Sequence, residues 1–360
     1  MRTLAIEEQN ARLALRNEIF TVEKSGAVLA QVRAAEVSQV ALFGSVELTP
    51  AARALLLRRG IDTVFLTVGG RYRGRLVGPA HGAVGVRIGQ YRRLMQVEDS
   101  LTAARECVRG KIVNQRRLML RAQNRRPDPA RAGTIVRMDA VRRAVERARE
   151  IDEVRGLEGA ASALYFQAFG GLLINPEFTF TDRNRRPPRD PVNAMLSFCY
   201  ALLLSLVEGA VYRAGLDPHF GALHAPRHGV PALALDLMEE FRPVAVDSLV
   251  VELVNRGSVG PADFARLPTG PEAEELLADE VGGPPESRDA PPPKGPPGVH
   301  LAETGRRIVL RAFYARMRRR AYHPGRDQRL SLSQIIVEQA YAFARWCEGR
   351  SPAYRAYTPR

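Results

Sequence analysis

The chain has 360 residues, 45% hydrophobic and 26% charged, which suits a globular protein with room for two domains and a sizeable core. Its 53 Lys+Arg against 39 Asp+Glu leave a net charge of +14, mostly arginine, which favours a polyanion partner: nucleic acid first, an anionic membrane second. Three scattered cysteines (Cys107, Cys199, Cys347) argue against a disulfide framework or a zinc site, and no apolar leader follows Glu7 and Glu8, so a reducing cytoplasm is expected.

Residues 1–80 read as mostly β. RLALRNEIFTVEK alternates apolar and polar residues, as one half-buried strand would. Ser25-Gly26 makes a turn into AVLAQVR, and VSQVALFGSVELT continues the pattern. One helix interrupts it: Thr49 is the expected N-cap, Pro50 the first helical residue, and Gly60 the residue after the last turn. DTVFLTV is then a buried strand and GRYRGRLVG a basic one. Four glycines between Gly78 and Gln90 mark a boundary, with 81–90 as a linker.

Helical periodicity dominates from 91 to 360. YRRLMQVEDSLTAARECVRGKIVNQRRLMLRAQNR predicts one long helix or two, with Lys111, Arg116, Arg117, Arg121, Arg125 and Arg126 as a solvated or phosphate-contacting face. A helical hairpin follows over roughly 137–169, with Glu158 among small residues in RGLEGAASALYF. Arg183, Arg185, Arg186 and Arg189 sit in a loop stiffened by Pro187, Pro188 and Pro191, where charges are presented at low entropic cost. Val192 to Val207 is too short and too polar for a membrane span and reads as a buried helix. Residues 282–298 are a proline-rich insertion with too few apolar residues to order themselves. RRIVLRAFYARMRRRAYHPG and SLSQIIVEQAYAFARWCEG are two further amphipathic helices, the first carrying the basic cluster Arg316, Arg318, Arg319 and Arg320.

GALHAPRHGVPALALDLMEEFRP places His224 twelve positions before Asp236, on a short acidic helix. Asp236, Glu239 and Glu240 share one face, free for chemistry, while Leu237, Met238 and Phe241 dock on the core from the other. Two carboxylates three residues apart with a nearby imidazole suit a hard divalent ion, Mn²⁺ or Mg²⁺, better than structural zinc. Helical geometry does not choose between Glu239 and Glu240.

LALDLMEEFRP with GALH upstream resembles the CRISPR-associated integrase family, Cas protein one. GLEGAASALYF, RDPVNAMLSFCYALL, KIVNQRRLMLR, FGSVELT, RRGIDTVFLT and GRYRGRL match it too, over nearly the whole chain apart from the proline-rich insertion. The resemblance implies an α+β protein, with a β-rich dimerisation domain over 1–80 and a helical catalytic domain over 91–360. It implies Glu158, His224 and Glu239 as ligands of Mn²⁺ or Mg²⁺, with Asp236 as a further catalytic residue that supports or joins them. Glu240 is left for a salt bridge with an arginine. Arg183, Arg185, Arg186, Arg189 and Arg242 are the expected DNA contacts. The implied activity is a metal-dependent DNA integrase/endonuclease inserting spacers into CRISPR arrays, as a homodimer with a dimer of Cas protein two and a Cas protein four nuclease. The competing readings are a non-catalytic nucleic-acid scaffold and a general metal nuclease acting on branched DNA.

Overall fold

The computed structural model describes residues 2–78, 84–184, 187–266 and 298–359. It divides into two units: of the described residues, 2–78 belong to the first, and 84–184, 187–266 and 298–359 to the second. The proline-rich insertion lies outside the described residues except for Gly298.

In the first unit, β1 (Arg2–Ile6), β5 (Val37–Phe43) and β7 (Asp62–Leu66) run parallel, and β8 (Tyr72–Leu76) closes that sheet antiparallel to β7. A second sheet has the order β4 (Ala27–Arg33), β3 (Ile19–Lys24), β2 (Arg12–Arg16), β6 (Glu47–Leu48). The stretch expected as one strand is therefore a hairpin, broken at Asn17 and Glu18, whose φ values of 48° and 62° lie in the left-handed region. Asparagine tolerates that conformation, so it supplies the turn without a glycine. The next hairpin turns at Ser25 and Gly26, as expected. Helix α1 (Pro50–Arg59) has the expected ends: Thr49 Oγ1 accepts from Ala52 N at 3.3 Å, and Gly60 takes φ 59°. Leu13, Phe20, Leu42, Leu55 and Leu56 fill the core of this unit.

The second unit begins with α2 (Val84–Leu94), so residues 84–90 of the expected linker are helical. Gly89 there serves packing: a Cβ on it would lie 2.6 Å from the carbonyl oxygen of Cys347. The long basic segment is two helices, α2 and α3 (Val97–Arg125). The hairpin that follows is α4 (Pro129–Arg147) and α5 (Ile151–Phe169). Helix α6 (Pro191–Arg213) is long and apolar enough to cross a membrane, but 78% of its most apolar window is buried inside the fold, as a core helix should be. Its N-cap Asp190 accepts from Asn193 N at 2.8 Å, and buried Asn193 donates to Asp182 O at 2.9 Å. These bonds tie the arginine loop to the helix start. Next come α7 (Ala232–Met238), a π-helical turn over Arg242–Asp247, and α8 (Ser248–Asn255). The two amphipathic C-terminal helices are α9 (Glu303–Arg318) and α10 (Leu332–Cys347). Two short antiparallel ribbons, not anticipated by helical periodicity, also belong to this unit: β9 (Phe264–Arg266) with β10 (Val299–Leu301), and β11 (Arg320–His323) with β12 (Gln328–Ser331).

Candidate active site

Helix α7 is apolar at almost every position and stops at Met238, so Glu239 and Glu240 lie in the turn that enters the π-helical segment. The expectation of an acidic face standing clear of the core fails here. Asp236 is 1% exposed, Glu239 4% and Glu240 1%, alongside equally buried Leu237, Met238 and Phe241. The helix is enclosed on all sides, and each carboxylate is held by specific partners, as buried charges must be.

Asp236 folds the loop before it. Its Oδ2 accepts from the backbone N–H of Ala222 at 2.6 Å and Leu223 at 2.9 Å. Its Oδ1 accepts from the backbone N–H of His224 at 2.9 Å and lies 2.7 Å from His224 Nδ1. Gly221 makes the approach possible, since a Cβ there would sit 2.6 Å from Asp236 Oδ2. The carboxylate therefore fixes the imidazole through Nδ1 and leaves Nε2 for another partner. Burial alone would depress the His224 pKa, but the hydrogen bond and charge of Asp236, with Glu239 beyond, outweigh it and raise it.

Glu239 meets two cations. Its Oε2 is 2.7 Å from Lys111 Nζ, and its Oε1 is 3.1 Å from Arg242 Nε. Burial would raise this carboxyl, yet Arg242 and Lys111 hold it down at about 2. Glu158, on α5, accepts a hydrogen bond from the same Lys111 Nζ, and Ser162 Oγ donates to it at 2.8 Å. Two carboxylates from separate helical segments thus converge on one ammonium. No group of three His, Cys, Asp or Glu among the described residues is arranged to hold a metal. The donor set itself fits a hard cation: two carboxylates already aimed at one positive charge, near an imidazole oriented through its other nitrogen.

Glu240 points away to a different task. Among the described residues its partners are hydrogen-bond donors, where a salt bridge to an arginine was expected: Tyr357 N at 2.6 Å, Tyr354 Oη at 3.0 Å and Gln339 Nε2 at 3.1 Å. Asn114 Nδ2 adds bonds to the carbonyls of Glu240 at 2.7 Å and Tyr357 at 2.8 Å. Residues 354–357 therefore clamp the turn that carries Glu239. Burial pushes the Glu240 carboxyl up to about 8, against the pull of these donors.

Beneath Arg242, buried Asp247 accepts from Tyr165 Oη at 2.8 Å and Tyr200 Oη at 2.5 Å. The Arg242 guanidinium lies 4.8 Å above the Tyr200 ring. Arg183 lies 5.5 Å from the same ring and donates to Asn193 Oδ1 at 2.7 Å and Ser197 Oγ at 3.0 Å. A cavity of about 540 Å³ adjoins this cluster, lined by Lys111, Glu158, Phe166, Arg183, Tyr200 and Arg242 among others.

Of the residues singled out in the sequence, Glu158, His224, Asp236, Glu239 and Arg242 come together around this centre, and Arg183 lines its cavity. Arg189 is exposed, and Arg185 and Arg186 fall outside the described residues. Lys111 does not belong to a basic surface; it is buried in the centre. Its position on the apolar stripe of α3, with Ala104, Cys107 and Val108 on the preceding turns, is the signal that could have shown this. Tyr200 and Asp247 carried no comparable signal.

The chain matches the family described as CRISPR associated protein Cas1 over residues 4–278. It is 34% identical to a CRISPR-associated endonuclease Cas1 2 of Rhodospirillum rubrum, with 98% of this chain and 97% of that protein covered. It is also 34% identical to a CRISPR-associated exonuclease Cas4/endonuclease Cas1 fusion of Geobacter sulfurreducens; there 99% of this chain spans 60% of the longer protein. Its fold is similar to a solved casposase bound to integration product, with a TM-score of 0.78, 18% identity, and 99% of this chain and 95% of that one covered. On the extent of these matches, the chain belongs to the CRISPR-associated protein Cas1 family.

Proposed function

We propose that this chain is a metal-dependent DNA integrase/endonuclease of CRISPR adaptation, inserting spacer DNA into the array by attack of a DNA 3′-hydroxyl on a phosphodiester. The observation that carries this reading is the convergence of Glu158 and Glu239 on one cation, near an imidazole oriented by Asp236. Glu158, Glu239 and His224 Nε2 would hold Mn²⁺ or Mg²⁺. When bound, the ion withdraws charge from the scissile phosphate and lowers the pKa of the attacking oxygen. Asp236 acts through His224: four partners already occupy its two oxygens, which makes it a positioning residue rather than a fourth ligand. Arg242 and Arg183 flank the cavity beside the carboxylates and present positive charge to a phosphate backbone there. Arg185, Arg186 and Arg189 extend the interaction to the DNA arms, giving binding that is sequence-tolerant and salt-sensitive. The chain works in the cytoplasm as a homodimer through residues 1–80, on spacer precursor and CRISPR repeat DNA, with a dimer of Cas protein two. The fused relative adds a Cas4 nuclease as a natural companion.

The test compares Glu239→Gln with Glu240→Gln in joining a 3′-hydroxyl duplex to a repeat-bearing plasmid, with Mn²⁺ titrated. Glu239→Gln is expected to lose about 100-fold or more in joining, the scale of removing one electrostatic contributor to a transition state. Glu240→Gln stays within about tenfold of the parent. Loss confined to Glu240→Gln overturns the ligand assignment, and no loss in either variant leaves a non-catalytic scaffold as the better account.

A further inference from the structure

We propose that the Lys111 ammonium is a built-in occupant of the metal position: it holds Glu158 and Glu239 together in the metal-free protein and yields the place when a divalent ion binds. This rests on the reading of those two glutamates as metal ligands.

The geometry comes first. Lys111 Nζ touches both carboxylates, the distance to Glu239 being 2.7 Å, and its side chain is 8% exposed. Buried Glu239 and half-buried Glu158, aimed at one point, repel each other there unless a counter-charge sits between them. A metal-binding pair therefore needs a substitute whenever the ion is absent. The charges balance in this state, since Lys111 and Arg242 face Glu158 and Glu239. A divalent ion neutralises the two carboxylates by itself, which leaves the ammonium without a partner and Arg242 free for a phosphate.

The choice of residue fits an occupant that must leave. The chain has fifty arginines and only three lysines, Lys24, Lys111 and Lys294. An arginine here would grip both carboxylates with a planar fork, whereas lysine offers a compact point charge on a flexible stem. There is also space to receive it. Lys111 lines the adjoining cavity of about 540 Å³, together with the oxygen-bearing side chains of Ser162, Thr181 and Asp182.

The experiment measures Mn²⁺ binding to the full chain without DNA, by the loss of the free-ion electron paramagnetic resonance signal. Lys111→Met removes the competitor and keeps the length of the side chain, so Mn²⁺ is expected to bind about tenfold or more tightly than in the parent. Lys111→Arg is expected to bind it more weakly than the parent. On the parent protein, acetylation of Lys111 followed by mass spectrometry should rise several-fold when Mg²⁺ saturates the site, as the ammonium moves into the open cavity. This last measurement stands even if the methionine variant does not fold. Equal or weaker Mn²⁺ binding in a folded Lys111→Met protein overturns the proposal, as does unchanged Lys111 labelling. In either case the metal reading survives if Glu239→Gln abolishes Mn²⁺ binding in the parent background. If the parent binds no Mn²⁺ at all, both the proposal and the metal reading fall.

Discussion

Asp236→Asn is the substitution that most directly probes how the centre is held. The carboxylate accepts at 2.6, 2.9 and 2.9 Å from three successive backbone N–H groups and lies 2.7 Å from His224 Nδ1. Asparagine keeps one carbonyl oxygen and turns an NH₂ group toward donors on its other side. At least two hydrogen bonds to a charged acceptor disappear, and a buried N–H is left facing another donor. With part recovered by relaxation of the loop, the cost is about 3 kcal/mol. For a unit of this size that lowers Tm by roughly 6–12 °C. The imidazole is also deprived of the partner that fixes its orientation, so Mn²⁺ affinity should fall about 10- to 100-fold. Differential scanning calorimetry and Mn²⁺ titration on the same preparation read both effects. His224→Ala is the control: it leaves the three backbone bonds intact, costs about 1 kcal/mol, and weakens metal affinity at least as strongly. An Asp236→Asn protein with Tm within about 2 °C of the parent and unchanged Mn²⁺ affinity would refute the argument that this carboxylate builds the loop and aims the histidine.

Glu240→Gln should flatten the pH dependence of stability. The folded pKa of about 8 lies above the ordinary 4.5, so the native state keeps its proton longer and this group's contribution fades as pH rises between those values. The Tm difference between pH 5 and pH 8.5 should shrink in the variant, and an unchanged difference would show that the group titrates normally. Replacing Arg185, Arg186 and Arg189 by alanine should weaken binding to all DNA sequences alike and reduce the salt slope by about 0.9 for each phosphate left unneutralised. Weakening confined to one sequence would contradict binding through the phosphates. Gly89→Ala should destabilise the helical unit by about 1–3 kcal/mol, because the new Cβ would meet the Cys347 carbonyl at 2.6 Å. A thermal shift of zero would mean that α2 and α10 can separate without cost.

Local chemistry is legible wherever a residue does its work by itself. Thr49, Pro50 and Gly60 bound α1 because capping, fixed φ and left-handed φ belong to single residues. Asn17 and Glu18 carry no glycine to announce a turn, and the signal there is the polar run Arg16-Asn17-Glu18, which interrupts the alternation. The acidic helix is visible in the sequence but its surroundings are not: periodicity reports which residues share a face and not whether another element covers that face. Asp236, Glu239 and Glu240 look alike in sequence, yet they hold a loop, a cation pair and the 354–357 segment respectively. Lys111 is hidden by its arginine neighbours, although its helical position among buried residues is there to be read. Asp247 pairs with Tyr165 and Tyr200 across 82 and 47 positions, a separation that no local pattern encodes.

The clamp of residues 354–357 on Glu240 and Asn114 also bears on when the protein becomes competent during its synthesis. Glu240 waits for Tyr357 across 117 positions, and Glu106, which accepts from Ala356 N at 2.8 Å, waits across 250. A nascent chain can fold α3 through α8 and still lack the bonds that Tyr354 and Tyr357 give to Glu240 beside Glu239. A product cut short by a premature stop codon before Tyr354 would carry every carboxylate of the centre and keep the Gln339 and Asn114 bonds to Glu240, but would lose the donors from Tyr354 and Tyr357. Truncated translation products would therefore carry a centre whose supporting turn has lost its C-terminal donors.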